Sequence, residues 1–281
     1  LHKAIRRQRQ MCIRDRGNGP GEMFSCALGL HSNASDNFYL QDSNSKTCYI
    51  VDLKTLLNSR KFVPDEQFRY SSEVLPTSDL CLLDDNRYIG YHMWYLDDKQ
   101  FSKVDSPLGY YQKGEDSGKG MDDFPFFVAS VNGARLFKNP QTQELWTADM
   151  HRDAIRIYND SLKQIRELVG PDHFSPEYTR RQIDAPVAFV TFADECDYHA
   201  YTDYYITDKH IYLVYEGNKH FDMKNLSPVE IFKLDFDGNL LCNYKPDRYV
   251  YSISINKKED TLYCASRSSV MEPPVILKYK L

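Results

Sequence analysis

A strand-turn-strand unit recurs along this chain with nearly constant internal spacing, and that recurrence limits the fold more than any other feature. Asn37-Phe38-Tyr39-Leu40-Gln41-Asp42 leads through a short polar turn into Cys48-Tyr49-Ile50-Val51-Asp52-Leu53. Glu144-Leu145-Trp146-Thr147-Ala148-Asp149 leads the same way into Ile155-Arg156-Ile157-Tyr158-Asn159. Looser copies pair 211–215 with 229–235, and 261–265 with 275–281. One hairpin cannot bury its apolar face alone, so a series of them implies sheets stacked around a shared core. The chain has 21 Tyr and 15 Phe, side chains that suit half-buried pleated strands. Apolar residues at helical spacing are hard to find after residue 60, so the expected class is all-β.

The strand patterns group into about five units, over 24–59, 72–104, 126–168, 187–244 and 249–281. Aromatic anchors at Tyr39, Tyr88, Trp146, Tyr212 and Tyr263 recur at intervals of 49, 58, 66 and 51 residues. That is close to the length of a four-stranded propeller blade with insertions. Asp237-Gly238 separates two apolar runs and favours a tight hairpin turn. Segments 105–123 and 170–186 read as loops, the second because it holds three prolines. Segment 161–169 fits a short helix or an outer strand equally well.

The formal net charge is −5, unevenly spread. Residues 1–16 carry six basic side chains against Asp15, a net of +5, which leaves −10 for the rest. So acidic a body argues against nucleic acid or an anionic membrane as main partner. Met11-Cys12-Ile13-Arg14-Asp15-Arg16 resembles a translated sequencing adapter, so 1–16 are expected to be foreign to a domain spanning 17–281. Seven Cys include no C-x-x-C pair, and Cys48, Cys81, Cys242 and Cys264 sit in apolar strand patterns as expected of structural thiols. No apolar run has the length of a membrane-spanning helix.

Gly17-Asn18-Gly19-Pro20-Gly21-Glu22 is a tight loop and lacks the strand-before, helix-after setting of a dinucleotide fingerprint. This loop, with Ile211-Tyr212-Leu213-Val214-Tyr215-Glu216-Gly217, Phe232-Lys233-Leu234-Asp235-Phe236-Asp237-Gly238, Tyr244-Lys245-Pro246-Asp247 and Ile253-Ser254-Ile255-Asn256, resembles the TolB-like six-bladed β-propeller proteins of Bacteroidetes. The resemblance implies an all-β propeller of six-bladed type with about five blades present and N-terminal material missing. It also implies a periplasmic or outer-membrane-associated protein whose intact form is lipid-anchored, and a non-catalytic binding or scaffolding role with a protein or carbohydrate partner. The rival is a metal-dependent hydrolase of the lactonase type, with calcium or zinc in the central channel.

Candidate ligand-binding residues come from three places. Tyr88 to Leu96 is the most aromatic strand, and its period of 2 puts His92 and Trp94 on one face as a stacking platform, though core packing of both faces is the plainer reading. Asp149 and His151 sit at the mouth of the third unit. The plain alternative there is an Asp closing a hairpin turn, since Asp42 holds the same position without a His. Asp197, His199 and Tyr201 gather acid, imidazole and phenol ahead of another strand. Asp235-Phe236-Asp237-Gly238-Asn239 lacks the later ligands of a calcium loop and reads as a hairpin turn. No nucleophile elbow or zinc-binding His-Glu-x-x-His occurs, so no catalytic residue, metal ligand or cofactor is expected.

Overall fold

The computed structural model describes residues 133–176, 178–184, 187–192, 199–217 and 224–281. Ahead of these it describes the shorter segments 15–16, 22–23, 26–30, 37–42, 45, 47–59, 62, 64–69, 77–82, 88–92, 101–103 and 106–108. Two short strands, β1 (Asp15–Arg16) and β2 (Glu22–Met23), pair in parallel. Every other strand pairing among the described residues is antiparallel. Blade A is β3 (Cys26–Leu30), β4 (Asn37–Asp42), β5 (Thr47–Asp52) and β6 (Glu66–Arg69), with helix α1 (Leu53–Ser59) between the last two. Blade B is β7 (Thr77–Leu82), β8 (Tyr88–His92), β9 (Phe101–Lys103) and β10 (Ser106–Leu108). Blade C is β11 (Ala134–Lys138), β12 (Leu145–Asp149), β13 (Ala154–Tyr158) and β14 (Gln164–Val169). A separate hairpin, β15 (Tyr178–Asp184) and β16 (Val187–Phe192), precedes blade D: β17 (Tyr201–Ile206), β18 (Ile211–Tyr215), β19 (Glu230–Leu234) and β20 (Leu240–Tyr244). Blade E has three strands, β21 (Val250–Ile255), β22 (Thr261–Ser266) and β23 (Val275–Lys280).

First strands touch in succession, β3 on β7, β7 on β11, β11 on β17 and β17 on β21. Sheets meeting through their first strands are radial blades about an axis, and the aromatic anchors all fall on second strands. Some boundaries differ from the sequence patterns. The unit expected over 187–244 divides, because β15 and β16 form a sheet of their own. β15 lies in the expected loop 170–186, where Pro176 and Pro186 bracket the strand instead of interrupting it. β10 likewise falls within 105–123. Leu53 opens α1 where a strand end was expected, because the Asp52 carboxylate accepts the Thr55 amide at 2.6 Å and caps the first turn. Segment 161–169 resolves as the outer strand β14. Among the described residues, no helix is long and apolar enough to cross a membrane.

The core is built from strands apolar on both faces. All five residues of β18 are buried, Ile211, Leu213 and Tyr215 toward blade C and Tyr212 and Val214 toward blade E. Alternation with period 2 sends the two sets to opposite faces, so one strand serves two interblade layers. The C–D layer joins Phe137, Trp146, Ile155 and Ile157 to Tyr204, Phe232, Leu234 and Phe236. The D–E layer joins Val229 and Ile231 to Val250, Ile253, Ile255, Leu262 and Cys264. Burial drives the Cys264 thiol up to about 12, so it behaves as a small hydrophobe.

In an antiparallel meander, first-to-second and third-to-fourth turns leave at one end of the blade, and second-to-third and blade-to-blade connections at the other. The turn end caps itself. Asn139 Oδ1 accepts the amides of Gln141 and Thr142, Asn159 Oδ1 those of Ser161 and Lys163, Asp235 Oδ1 those of Asp237 and Asn239, and Asn256 Oδ1 those of Asp260 and Thr261. The blade D turn also docks sideways. Gly238 (φ 86°) lies where a Cβ would meet Leu168 Cδ1 at 2.6 Å, and Arg166 donates to the Asp237 carbonyl at 2.9 Å. Outer strands β14 and β20 each carry a register shift, which leaves Ile165 and Leu241 as extra, half-exposed residues.

At the same end, Glu259 clasps blade E to blade D. It reaches His210 Nδ1 at 2.6 Å, Lys233 Nζ at 3.2 Å and the Tyr212 hydroxyl at 3.3 Å, and bonds the Thr207 hydroxyl. Burial pushes its carboxyl upward, but hydrogen bonds from Thr207, His210 and Lys233 outweigh that and hold it below the usual carboxylate range. Glu259→Ala is expected to cost about 2 kcal/mol at pH 7. Because the folded carboxyl titrates below its unfolded value, the contribution is full above about pH 5 and lost as pH falls through the folded value. Thermal melts of both proteins between neutral and acid pH check this. A midpoint difference that does not shrink in acid would show that the charge is not its source.

Candidate functional site

The other end of the blades gathers side chains from three blades. Backbone bonds first bring the chain segments together: Met150 N to Gly133 O at 2.7 Å, Ala200 N to Met150 O at 2.7 Å, and Glu216 N to Ala200 O at 2.8 Å. This ladder crosses from blade C to blade D and sets His151 beside His199. Their rings meet edge to face, with centroids 5.5 Å apart. His199 Nδ1 lies 3.4 Å from Glu216 Oε2, and the Tyr249 hydroxyl donates to Glu216 Oε1 at 2.7 Å. The result is a polar line, His151–His199–Glu216–Tyr249, running from blade C to the entry of blade E.

Two buried carboxylates stabilise this end. Asp149, on the last position of β12, holds Arg152 Nη1 at 2.8 Å and Arg156 Nη1 at 3.1 Å through one oxygen. Asp153 accepts the amides of Asp172 at 2.6 Å and His173 at 2.9 Å on one oxygen and the Tyr201 hydroxyl at 3.2 Å on the other. It thereby pins the connection leaving β14 onto the loop between β12 and β13. Tyr215 donates to Asp172 at 2.9 Å. Burial, then the charge of Asp153, drives the Tyr201 and Tyr215 phenols far up; burial and Glu216 do the same to Tyr249. These phenols are donors fixed in the protonated form. They offer no nucleophile.

Of the residues singled out in the sequence, Asp149, His151, His199 and Tyr201 converge at the C–D junction. Asp149 and Tyr201 are buried in support, while His151 and His199 are half-buried and carry the polar edge of the site. His92 is the last residue of β8 in blade B, whereas Trp94 and Asp197 lie outside the described residues. Glu216, Tyr249 and Asp153 were missed. A carboxylate ending the wholly apolar strand Ile211–Tyr215, followed by Gly217, is the signal that marks Glu216. Among the described residues, no three His, Cys, Asp or Glu side chains are placed to hold a metal ion. The arrangement presents a pair of imidazole edges, one backed by a carboxylate, which suits hydrogen bonding to a polar ligand.

A solved structure agrees with the blade geometry. A solved member of the DUF4221 family from Bacteroides vulgatus aligns with a TM-score of 0.53 at 11% identity, over 95% of this chain and 82% of that one. It shares the fold. A protein described as exported, from Bacteroides fragilis, aligns at 0.47 with 15% identity, over 90% of this chain and 70% of that one. Hydrazine synthase of Kuenenia stuttgartiensis aligns at 0.47 with 10% identity, over 90% of this chain, which spans 59% of that chain's length. Curated protein sequences give no match. The model of the TolB-like 6-blade propeller-like family matches residues 6–258, and so the chain, with its radial blades, belongs to that family.

Proposed function

We propose that this chain is a non-catalytic binding or scaffolding module of the bacterial cell envelope, taking a protein or carbohydrate ligand at the end of the blades that carries His151 and His199. One observation carries the reading: a polar line drawn from three blades crosses the end where the chain passes from one blade to the next, while the opposite end closes on its own turn caps. Loops on a rigid scaffold are where binding groups concentrate. The envelope location rests on the family and on the exported character attributed to the Bacteroides fragilis protein.

The test joins ligand screening to metal analysis. A glycan array and a panel of purified envelope proteins are expected to yield a ligand whose affinity falls about tenfold or more on His151→Ala plus His199→Ala, with the thermal midpoint little changed. A stoichiometric, chelator-sensitive calcium or zinc ion accompanied by lactone hydrolysis would overturn the binding reading in favour of a hydrolase.

A further inference from the structure

The wedge between the outer strands of blades C and D is open, whereas the next wedge along is filled. Between blades D and E, Tyr244 of β20 and Leu277 and Tyr279 of β23 pack onto the core layer. Between blades C and D, Leu168 of β14 packs onto the layer, while β20 turns Leu240 and Asn243 to this side, opposite Leu234 and Phe232. Leu240 stays 57% exposed. A crevice of about 340 Å³ is left, and every residue lining it is among those described. Gly238 and Leu168 close it toward the turns, and it reaches inward to Tyr201.

Its chemistry is apolar with charge at one end. Ile155, Leu168, Phe232, Leu234 and Leu240 supply apolar walls. A dry cavity of about 150 Å³ holds benzene, so this one has room for a fused pair of rings. Glu230 stands at the rim with its side chain 26% exposed, and no Lys or Arg is among the lining residues. Its carboxylate accepts Asn243 Nδ2 and, from outside the crevice, Lys245 Nζ at 3.2 Å. Lys245 is 68% exposed, so that pair is weak and its ammonium can turn to water. An apolar body entering the crevice strips water from the Glu230 carboxylate, which costs free energy unless a cation arrives with it. A second carboxylate would be repelled.

We propose that the C–D crevice binds a small organic amine, an apolar body of up to two fused rings whose ammonium pairs with Glu230. The rings lie against Leu168, Phe232 and Leu240 and supply most of the affinity, while Glu230 sets the sign of charge accepted. The site goes beyond the binding role proposed at His151 and His199. His199 precedes the first strand of blade D, on the axis side, whereas the crevice opens between fourth strands.

The experiment titrates the full chain with three probes of one shape, tryptamine, tryptophol and indolepropionate, and follows the methyl resonances of Leu168 and Leu240. Tryptamine should saturate them at a concentration about fivefold or more below that needed for indolepropionate at pH 7. In Glu230→Gln that advantage should vanish while tryptophol binds as before, which a misfolded blade could not produce. Lys245→Ala removes the competing cation and should tighten tryptamine further. Asn243→Phe should fill the crevice as Tyr244 fills the next one, abolishing the response to all three probes with the thermal midpoint held or raised. Indolepropionate binding as well as tryptamine, a preference that survives Glu230→Gln, or no saturable response to any probe would overturn the proposal. A response kept by the filled variant would place the amine elsewhere and overturn it as well.

Discussion

Replacing Asp149 by alanine is expected to destabilise the protein by about 4 kcal/mol, the largest effect of any single side chain at the candidate site. Its carboxylate is 1% exposed and serves two guanidinium groups, of Arg152 and Arg156, which are themselves buried. Taking the acid away leaves positive charge where water cannot solvate it, and that costs more than the pairing itself contributes. Arg156 keeps Glu167 at 3.2 Å, but that carboxylate is 38% exposed and compensates weakly. Asp149→Asn retains an acceptor oxygen and should cost less. Urea unfolding of the three proteins measures both changes. A loss under about 1 kcal/mol for Asp149→Ala would refute a structural role.

Gly170→Ala is expected to cost about 3 kcal/mol, although it adds one methyl group. A Cβ there would sit 1.8 Å from Asp153 Oδ1 and 2.7 Å from the Tyr201 hydroxyl. The carboxylate cannot swing aside cheaply, because it already satisfies two backbone amides and that phenol. Either the connection after β14 lifts or the Asp153 bonds break. Combining Gly170→Ala with Asp153→Ala should recover part of the loss, since the second change removes the obstacle. Strict additivity in a double-mutant cycle would show that the clash is not the cause. The same substitution should also weaken any ligand bound near His199, because the pinned connection orders this end.

Much of the architecture was legible in the sequence. The hairpins read from 37–53, 144–159, 211–235 and 261–281 are the pairs β4–β5, β12–β13, β18–β19 and β22–β23. They were visible because a strand buried on both faces, such as Ile211–Tyr215, leaves an unbroken apolar run. α1 was not visible, since one capping Asp ahead of seven residues gives no periodicity to detect. β15 was hidden by flanking prolines and by Arg180 and Arg181, which read as loop composition. The site was half legible. His151 and His199 stand out as imidazoles beside acids, but their partner Glu216 lies 17 residues beyond His199 in a different strand pattern. Only the backbone ladder through Met150 and Ala200 brings the three together.

The third-to-fourth turns of blades C and D bear on how such repeats diverge. Asn159–Lys163 and Asp235–Asn239 have one geometry, each closed by its first side chain and each holding its fourth residue at positive φ. In one that residue is Leu162, at φ 60°; in the other it is Gly238. Backbone strain of about 1 kcal/mol is therefore tolerable in this loop, and the glycine answers a second demand, the side chain of Leu168 pressing from the adjoining sheet. The Asp-Gly signature thus travels with the interface and not with the hairpin, so a motif search built on it will miss true copies whose neighbours leave room.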